Sequence, residues 1–283
     1  MPKLLINNIY KLSVLILVIT FGCSPTKKLK QGEYLVEKVE IVNVKQTKLP
    51  PEELEAFIRQ KPNRKLFRKV HFFVWWYNLF DNEKIKLKKE ERNAKYDKIN
   101  IERSRKTDEE NIKRVEKGKK PKKPKLKDKE SQLTIENIRD IGEPAVLLDS
   151  TLTEQTRAQL QMFLFGKGFF NNVVTDTIKF HKDNKRVTVK YILQTKLPYT
   201  IKNINYTLND EKLGQLILND TLKSLLKRGA NYDADVIANE RQRITNFCLN
   251  NGYYFFDNAY LKFNVDSNLA SHQININIEL EKF

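Results

Sequence analysis

Cysteine, histidine, glycine and proline are all scarce in this chain of 283 residues, and each scarcity removes a class of protein. Two Cys, Cys23 and Cys248, cannot staple a disulfide scaffold, and three His (His71, His181, His272) cannot supply a multi-ligand zinc cluster. Nine Gly and nine Pro are too few for a collagen-like chain or a Gly/Ser linker. No His-x-x-x-His spacing, Gly-rich phosphate loop or Gly-x-Ser-x-Gly elbow occurs, so the chain is read as a non-enzyme with no cofactor beyond a lipid. One uninterrupted apolar run exists, which excludes a multi-pass membrane protein. What is present is 40% hydrophobic and 31% charged residues, with 52 Lys+Arg against 35 Asp+Glu and a formal charge of +17. That composition permits a folded core under a basic surface.

The apolar run sits at the front. Lys3 and Lys11 precede or flank Leu12 to Ile19, which is short for a membrane span and has the length of a signal-peptide core. It runs into Gly22-Cys23 and the polar Ser24-Pro25-Thr26-Lys27-Lys28. Residues 1–22 are therefore expected to be a signal peptide cleaved after Gly22, with Cys23 the site of lipid attachment and 23–32 a lipidated tether. Thr20 and Phe21 stand where a lipobox usually has Leu and a small residue. A retained signal anchor is the alternative. Acylation anchors through burial of chain CH₂ groups at about 0.8 kcal/mol each, without a spanning helix. Cys248 follows Ile244 by one helical turn and reads as a small core side chain.

The chain repeats itself. Arg157, Leu160, Phe163, Phe165, Gly168 and Phe169 recur 84 residues later as Arg241, Ile244, Phe247, Leu249, Gly252 and Tyr253. Each block is an amphipathic helix stopped by Gly and followed by two aromatics, then a strand, a turn and a second strand. Val187, Val189, Tyr191 and Leu193 alternate in the first closing strand; Ile274, Ile276, Ile278 and Leu280 alternate in the second. Tyr34-x-Val36-x-x-Val39-x-Ile41 matches Tyr199-x-Ile201-x-x-Ile204-x-Tyr206, both with the phase change of a bulged strand. Helices are expected at Pro51 to Gln60 and Glu211 to Leu226, and a capping box at Thr151-x-x-Glu154.

Each repeat thus reads β-α-α-β-β. Gly229-x-x-Tyr232, Glu240-Arg241-x-Arg243-Ile244 and Asn251-Gly252-Tyr253-Tyr254 resemble a polypeptide-transport-associated (POTRA) domain, the module of the periplasmic arm in the Omp85 family. Tyr34-Leu35-Val36 close behind Cys23, with Gly142 to Val146, is similar to the lipoprotein version found in Bacteroidetes-type bacteria. The resemblance implies an α+β fold of tandem units, each a three-stranded mixed sheet with two helices on one face. The first unit, 33–60 and 142–194, is split by an aromatic and basic helical insertion at 61–141; the second is 198–283. It implies an outer-membrane lipoprotein, soluble part in the periplasm, that binds client polypeptides and envelope assembly partners. No run of strands of the family's membrane-barrel type occurs, so the chain is expected to be a truncated or split form, or an arm that acts without a barrel of its own.

Glu83 to Glu130 carries 20 Lys/Arg and 11 Asp/Glu, a local +9. It reads as an exposed helical arm followed by a flexible basic loop, suited to lipid headgroups or acidic clients. Ahead of it, Trp75, Trp76 and Tyr77 are candidates either for core packing or for a membrane interface. The resemblance nominates the second strand of the sheet as a client-binding edge: Val174, Ile178, Lys179 and Phe180 within Val173 to Phe180, and Leu261, Lys262 and Phe263 within Ala259 to Val265. Proline at Lys262 is expected to remove an edge donor and spare the fold. Two further functions stay open: an inner-membrane-anchored adaptor and a basic nucleic-acid binder, the latter disfavoured for an exported chain.

Overall fold

The period-two alternation of Val187–Leu193 and Ile274–Leu280 gives each segment one buried face, and both become central strands. The computed structural model describes residues 24–268 and 271–282; the expected signal peptide, Gly22 and Cys23 lie outside them. The strands are β1 (Leu35–Val42), β2 (Val173–Phe180), β3 (Arg186–Gln194), β4 (Thr200–Leu208), β5 (Leu261–Asn268) and β6 (Gln273–Leu280). The helices are α1 (Val44–Thr47), α2 (Pro51–Glu55), α3 (Phe72–Asn78), α4 (Asn82–Glu116), α5 (Thr134–Arg139), α6 (Ser150–Gly166), α7 (Glu211–Asn219) and α8 (Ala234–Asn250). Two three-stranded sheets form, with the same order: β1-β3-β2 and β4-β6-β5. β2 is antiparallel to β3, while β6 lies parallel to β4 and antiparallel to β5. A parallel pair needs a crossover, and α7 and α8 supply it between β4 and β6. The fold is α+β.

Contacts gather the residues into two compact bodies. One comprises Lys38–Lys61, Leu148–Lys182 and the chain from Val187 onward; the other comprises residues 24–37, Pro62–Leu147 and Asp183–Arg186. In the first body, Leu213 and Ile217 of α7 and Ile244 and Cys248 of α8 bury against Ile276 and Ile278 of β6. Each such leucine or isoleucine contributes about 1.5–3 kcal/mol. β4 carries a register shift between Ile201 and Asn203, the phase change expected there. Ahead of the shift Ile201 points to the core; beyond it Asn203 pairs instead with Asn275 on the open face, at 3.0 Å.

α6 and α8 are each 17 residues long, and their first residues are 84 apart. The expected capping box at Thr151 and Glu154 does not form. Asp149 is the N-cap, accepting from the N–H groups of Thr151 (2.8 Å) and Leu152 (3.2 Å), while Glu154 pairs with Arg157. Asp233 caps α8 the same way. Two other helices are shorter than their patterns. α2 ends at Glu55 because the following backbone turns onto α6, where the Arg59 N–H donates to Thr156 Oγ1 at 3.2 Å. α7 ends at Asn219, and only a 3₁₀ turn, Thr221–Lys223, follows. Asp220 stops it: its carboxylate is held by Lys223 and Arg243.

In the second body the basic segment is not a free loop. α4 is a single helix of 35 residues capped by Asp81, and the chain after Gly118 runs back along it. Asn111 grips Lys122 from both sides, donating to its carbonyl (2.8 Å) and accepting from its N–H (2.7 Å). Asn100 does the same to Lys127 (2.9 and 2.6 Å). Between and beyond them Arg92, Arg103 and Arg114 donate to the carbonyls of Lys129, Lys125 and Lys120. The spacing explains the fit. Eleven helical residues rise about 16 Å at 1.5 Å each, the span of about five residues in an extended or polyproline chain. Asn100 to Asn111 and Lys122 to Lys127 are that pair of lengths, and Pro121 and Pro124 keep the return strand extended. These backbone groups are held by α4, and of the lysine side chains Lys122 pairs with Glu110 (3.0 Å) and Lys129 with Asp97 (2.7 Å).

Candidate polypeptide-binding edge

β2 and β5 are the outer strands of their sheets, each opposite the strand that begins the repeat. β5 starts at Leu261 rather than Ala259, since Asn258–Tyr260 is a 3₁₀ turn, and it runs on to Asn268. Its backbone polarity follows from one bond. The Glu281 N–H donates to the Tyr260 carbonyl at 3.0 Å, and the register continues without a shift through Leu261↔Leu280 and Lys262↔Glu279. In an antiparallel ladder, hydrogen-bonded pairs alternate. Lys262, Asn264 and Asp266 therefore turn their N–H and C=O groups toward β6. Leu261, Phe263, Val265 and Ser267 turn theirs outward, into the edge. This corrects the expectation for Lys262: proline there removes a bond within the sheet, not an edge donor.

Side chains alternate across the same strand. Leu261 is buried and Phe263 half-buried on the helical face, where the Arg241 guanidinium lies 5.1 Å from the Phe263 ring centroid. Lys262 and Asn264 face solvent, ion-paired with Glu281 and hydrogen-bonded to Glu279 (2.9 Å) respectively. Beside the far half of the edge a cleft of about 320 Å³ is lined by Phe165, Phe170, Asn171, Tyr232, Val265 and Ser267. β5 thus joins an unpaired main-chain row to an aromatic hollow, the two elements that strand addition uses. On β2, Val174 is buried and Ile178 half-buried, while Lys179 and Phe180 are exposed. Asp176 is tied to Arg157 of α6 at 3.2 Å.

The three interface aromatics lie on α3 and are half-buried. Trp76 Nε1 donates to the Ile138 carbonyl (2.8 Å), Phe72 packs against both indoles, and Arg139 covers the Tyr77 ring at 5.2 Å. The exposed aromatic of this body is Phe67, 85% accessible at the tip of a hairpin closed by Leu66 and Val70. Phe67 and Arg68 both have positive φ (49° and 61°). Neither is Gly, Asn or Asp, so nothing in the pattern marked this turn in advance.

At the base of that hairpin Glu37 collects its partners. His71 Nε2 is 2.8 Å from its carboxylate, Lys65 Nζ 2.5 Å and Arg186 3.5 Å. Burial alone would raise the Glu37 pKa, but hydrogen bonds and charge from His71 and Lys65 outweigh it and hold the group at about 2. The sign follows. A depressed folded pKa contributes stability that is complete above the ordinary value of 4.5 and is lost as pH falls toward 2. Glu37→Gln is expected to cost about 2–3 kcal/mol at pH 7 and under about 1 kcal/mol at pH 2.5, close to the folded pKa, measured by urea denaturation at both values. An equal cost at both would show that Glu37 acts through packing alone.

Cys248 is a buried, free thiol whose pKa burial pushes up to about 11, which suits an inert core residue. Among the described residues, no group of three or more His, Cys, Asp or Glu could hold a metal ion, and no helix is long and apolar enough to cross a membrane.

No protein-family model matches the chain, and no curated protein matches it. Among solved structures it is similar to BamA from Haemophilus ducreyi lacking POTRA domains 1–3, at 15% identity over 50% of this chain and 25% of that one, with a TM-score of 0.33. It is also similar to POTRA3–5 of Haemophilus influenzae BamA (8% identity, 90% of this chain, all of that one, TM-score 0.30). A third likeness is CdiB from Escherichia coli (6% identity, 94% of this chain, 30% of that one, TM-score 0.28). The chain therefore spans only a quarter of the length of the first of these and under a third of the last.

Proposed function

We infer that the chain is a polypeptide-binding arm of the outer-membrane protein assembly or translocation apparatus, held at the membrane by a lipid on Cys23. The observation that carries this reading is the β5 edge: Leu261, Phe263, Val265 and Ser267 present outward main-chain groups next to an aromatic cleft. An unfolded outer-membrane client is an alternating chain of apolar and polar residues. Its backbone would pair with β5, and its alternate side chains would fall over the cleft or over the polar open face. Main-chain pairing is tolerant of sequence, which suits a carrier of many clients. Lys262 and Asn264 on the wet face discourage one edge from pairing with another of its kind. β2, with Val174 and Ile178 turned to the core and Lys179 and Phe180 exposed, is a second edge of the same type. On this reading the chain binds and hands over polypeptide in the periplasm and carries out no chemistry, and the pinned lysines of the arm face anionic lipid or acidic clients.

The test separates edge from ladder. Val265→Pro is expected to weaken binding of an alternating client peptide at least fivefold with unchanged circular dichroism, because the Val265 N–H has no partner in the sheet. Lys262→Pro, by contrast, should lower stability. Retention of full affinity by a folded Val265→Pro protein would remove β5 as the binding edge.

A further inference from the structure

The ends of α6 and α8 correspond residue for residue. After α6 comes Gly168 with φ +88°, and after α8 comes Gly252 with φ +95°. The Phe169 N–H returns to the Leu164 carbonyl (3.0 Å) as the Tyr253 N–H returns to the Cys248 carbonyl (3.2 Å). Asn172 and Phe256 close the next turn alike, at 3.1 and 3.0 Å. With one backbone in two places, the surroundings can be compared directly.

At the first end the surface is occupied. The Tyr199 N–H, just ahead of β4, donates to the Gly168 carbonyl at 2.9 Å. The Phe170 ring lies 4.8 Å from Tyr199 and 5.0 Å from Tyr232. A Cβ on Gly168 would meet the Tyr232 carbonyl oxygen at 2.8 Å. At the second end the same positions are bare. Tyr254, the counterpart of Phe170, is 80% exposed, and the adjacent Phe255 is 88% exposed. A Cβ on Gly252 would meet nothing within 4 Å. Two adjacent aromatics this exposed are costly for a surface that stays in water.

We propose that Gly252–Phe255 is a docking face for one further β-first module of this architecture. Its opening strand carries an aromatic residue at its start, donates its N–H to the Gly252 carbonyl, and lays that ring against Tyr254. The first joint identifies the occupant, since Tyr199 and β4 fill the equivalent surface there. The proposal does not depend on the β5 edge and stands or falls separately from it.

The test extends the full chain by a second copy of residues 195–280 placed after Glu281, which reproduces the spacing from β3 to Tyr199. Chymotrypsin cuts at exposed aromatic residues, so the bonds after Tyr254 and Phe255 report the face. Docking is expected to slow their cleavage at least tenfold relative to the present chain, and Tyr254→Asp in the extended chain should restore it. Equally rapid cleavage with the added copy folded would overturn the proposal. So would an added copy that stays unfolded, because the same sequence is supported at the first joint. Protection of these bonds in the unextended chain by phosphatidylethanolamine/phosphatidylglycerol vesicles would assign the face to membrane and overturn it as well.

Discussion

Replacing Arg243 with leucine is expected to destabilise the protein by about 3 kcal/mol at neutral pH, the scale for breaking a buried ion pair by removing one partner. Glu240 is fully buried. Its carboxylate accepts from Arg243 Nε and Nη2, both at 2.9 Å, and from the Leu225 N–H at 2.8 Å. Burial by itself would raise its pKa, and these donors reverse the direction and lower it. Without Arg243 the burial penalty faces only the Leu225 N–H and the Ser224 side chain, so the carboxyl is driven toward its neutral form. The loss should therefore grow as pH rises from 4 to 7, because the variant then has to bury an unpaired charge. Urea denaturation at the two values measures it. A loss below about 1 kcal/mol, or one that does not change with pH, would mean the guanidinium contributes only its packing. Glu240→Met combined with Arg243→Leu should recover part of the loss, since it removes the buried Glu240 charge and leaves Asp220 its remaining partner Lys223.

Gly168→Ala is the second large effect. Two costs add: a left-handed φ that an L-residue resists, at about 1–2 kcal/mol, and a Cβ forced onto the Tyr232 carbonyl oxygen at 2.8 Å, at about 1–3 kcal/mol. The total is about 3 kcal/mol. Gly252→Ala is the internal control. It has the same backbone conformation and open space around it, so only the first cost applies. Thermal and urea denaturation of the two variants should differ by about 1–3 kcal/mol, with Gly168→Ala the worse. Equal losses would show that backbone strain is the whole effect and that the joint at Tyr232 relaxes without resistance.

The parts of the fold with a periodic cause could be read ahead of the structure. The alternation in Val187–Leu193 and Ile274–Leu280 marks central strands because a central strand buries one whole face. The Gly-aromatic helix ends mark the repeat because an αL glycine is what stops those helices. What escaped reading depends on partners distant in sequence. α7 stops at Asn219 because Arg243, 23 residues on, holds Asp220. The return strand of the arm lies down because Asn100 and Asn111 meet Lys127 and Lys122, and no local pattern of polar residues announces such a grip. The candidate edge was legible as a strand with one wet face. Its direction of hydrogen bonding was not, because that depends on one bond to Glu281, and so the assignment of Lys262 as an outward donor was reversed.

The central claim is that β5 receives an added strand, and amide hydrogen exchange resolved to single residues tests it most directly. With a saturating alternating client peptide, the account predicts that exchange slows at least tenfold at the outward-facing amides of Phe263 and Val265. The amides of Lys262 and Asn264, already bonded to β6, should change little. Unchanged exchange at Phe263 and Val265 in a protein that binds the peptide would contradict it.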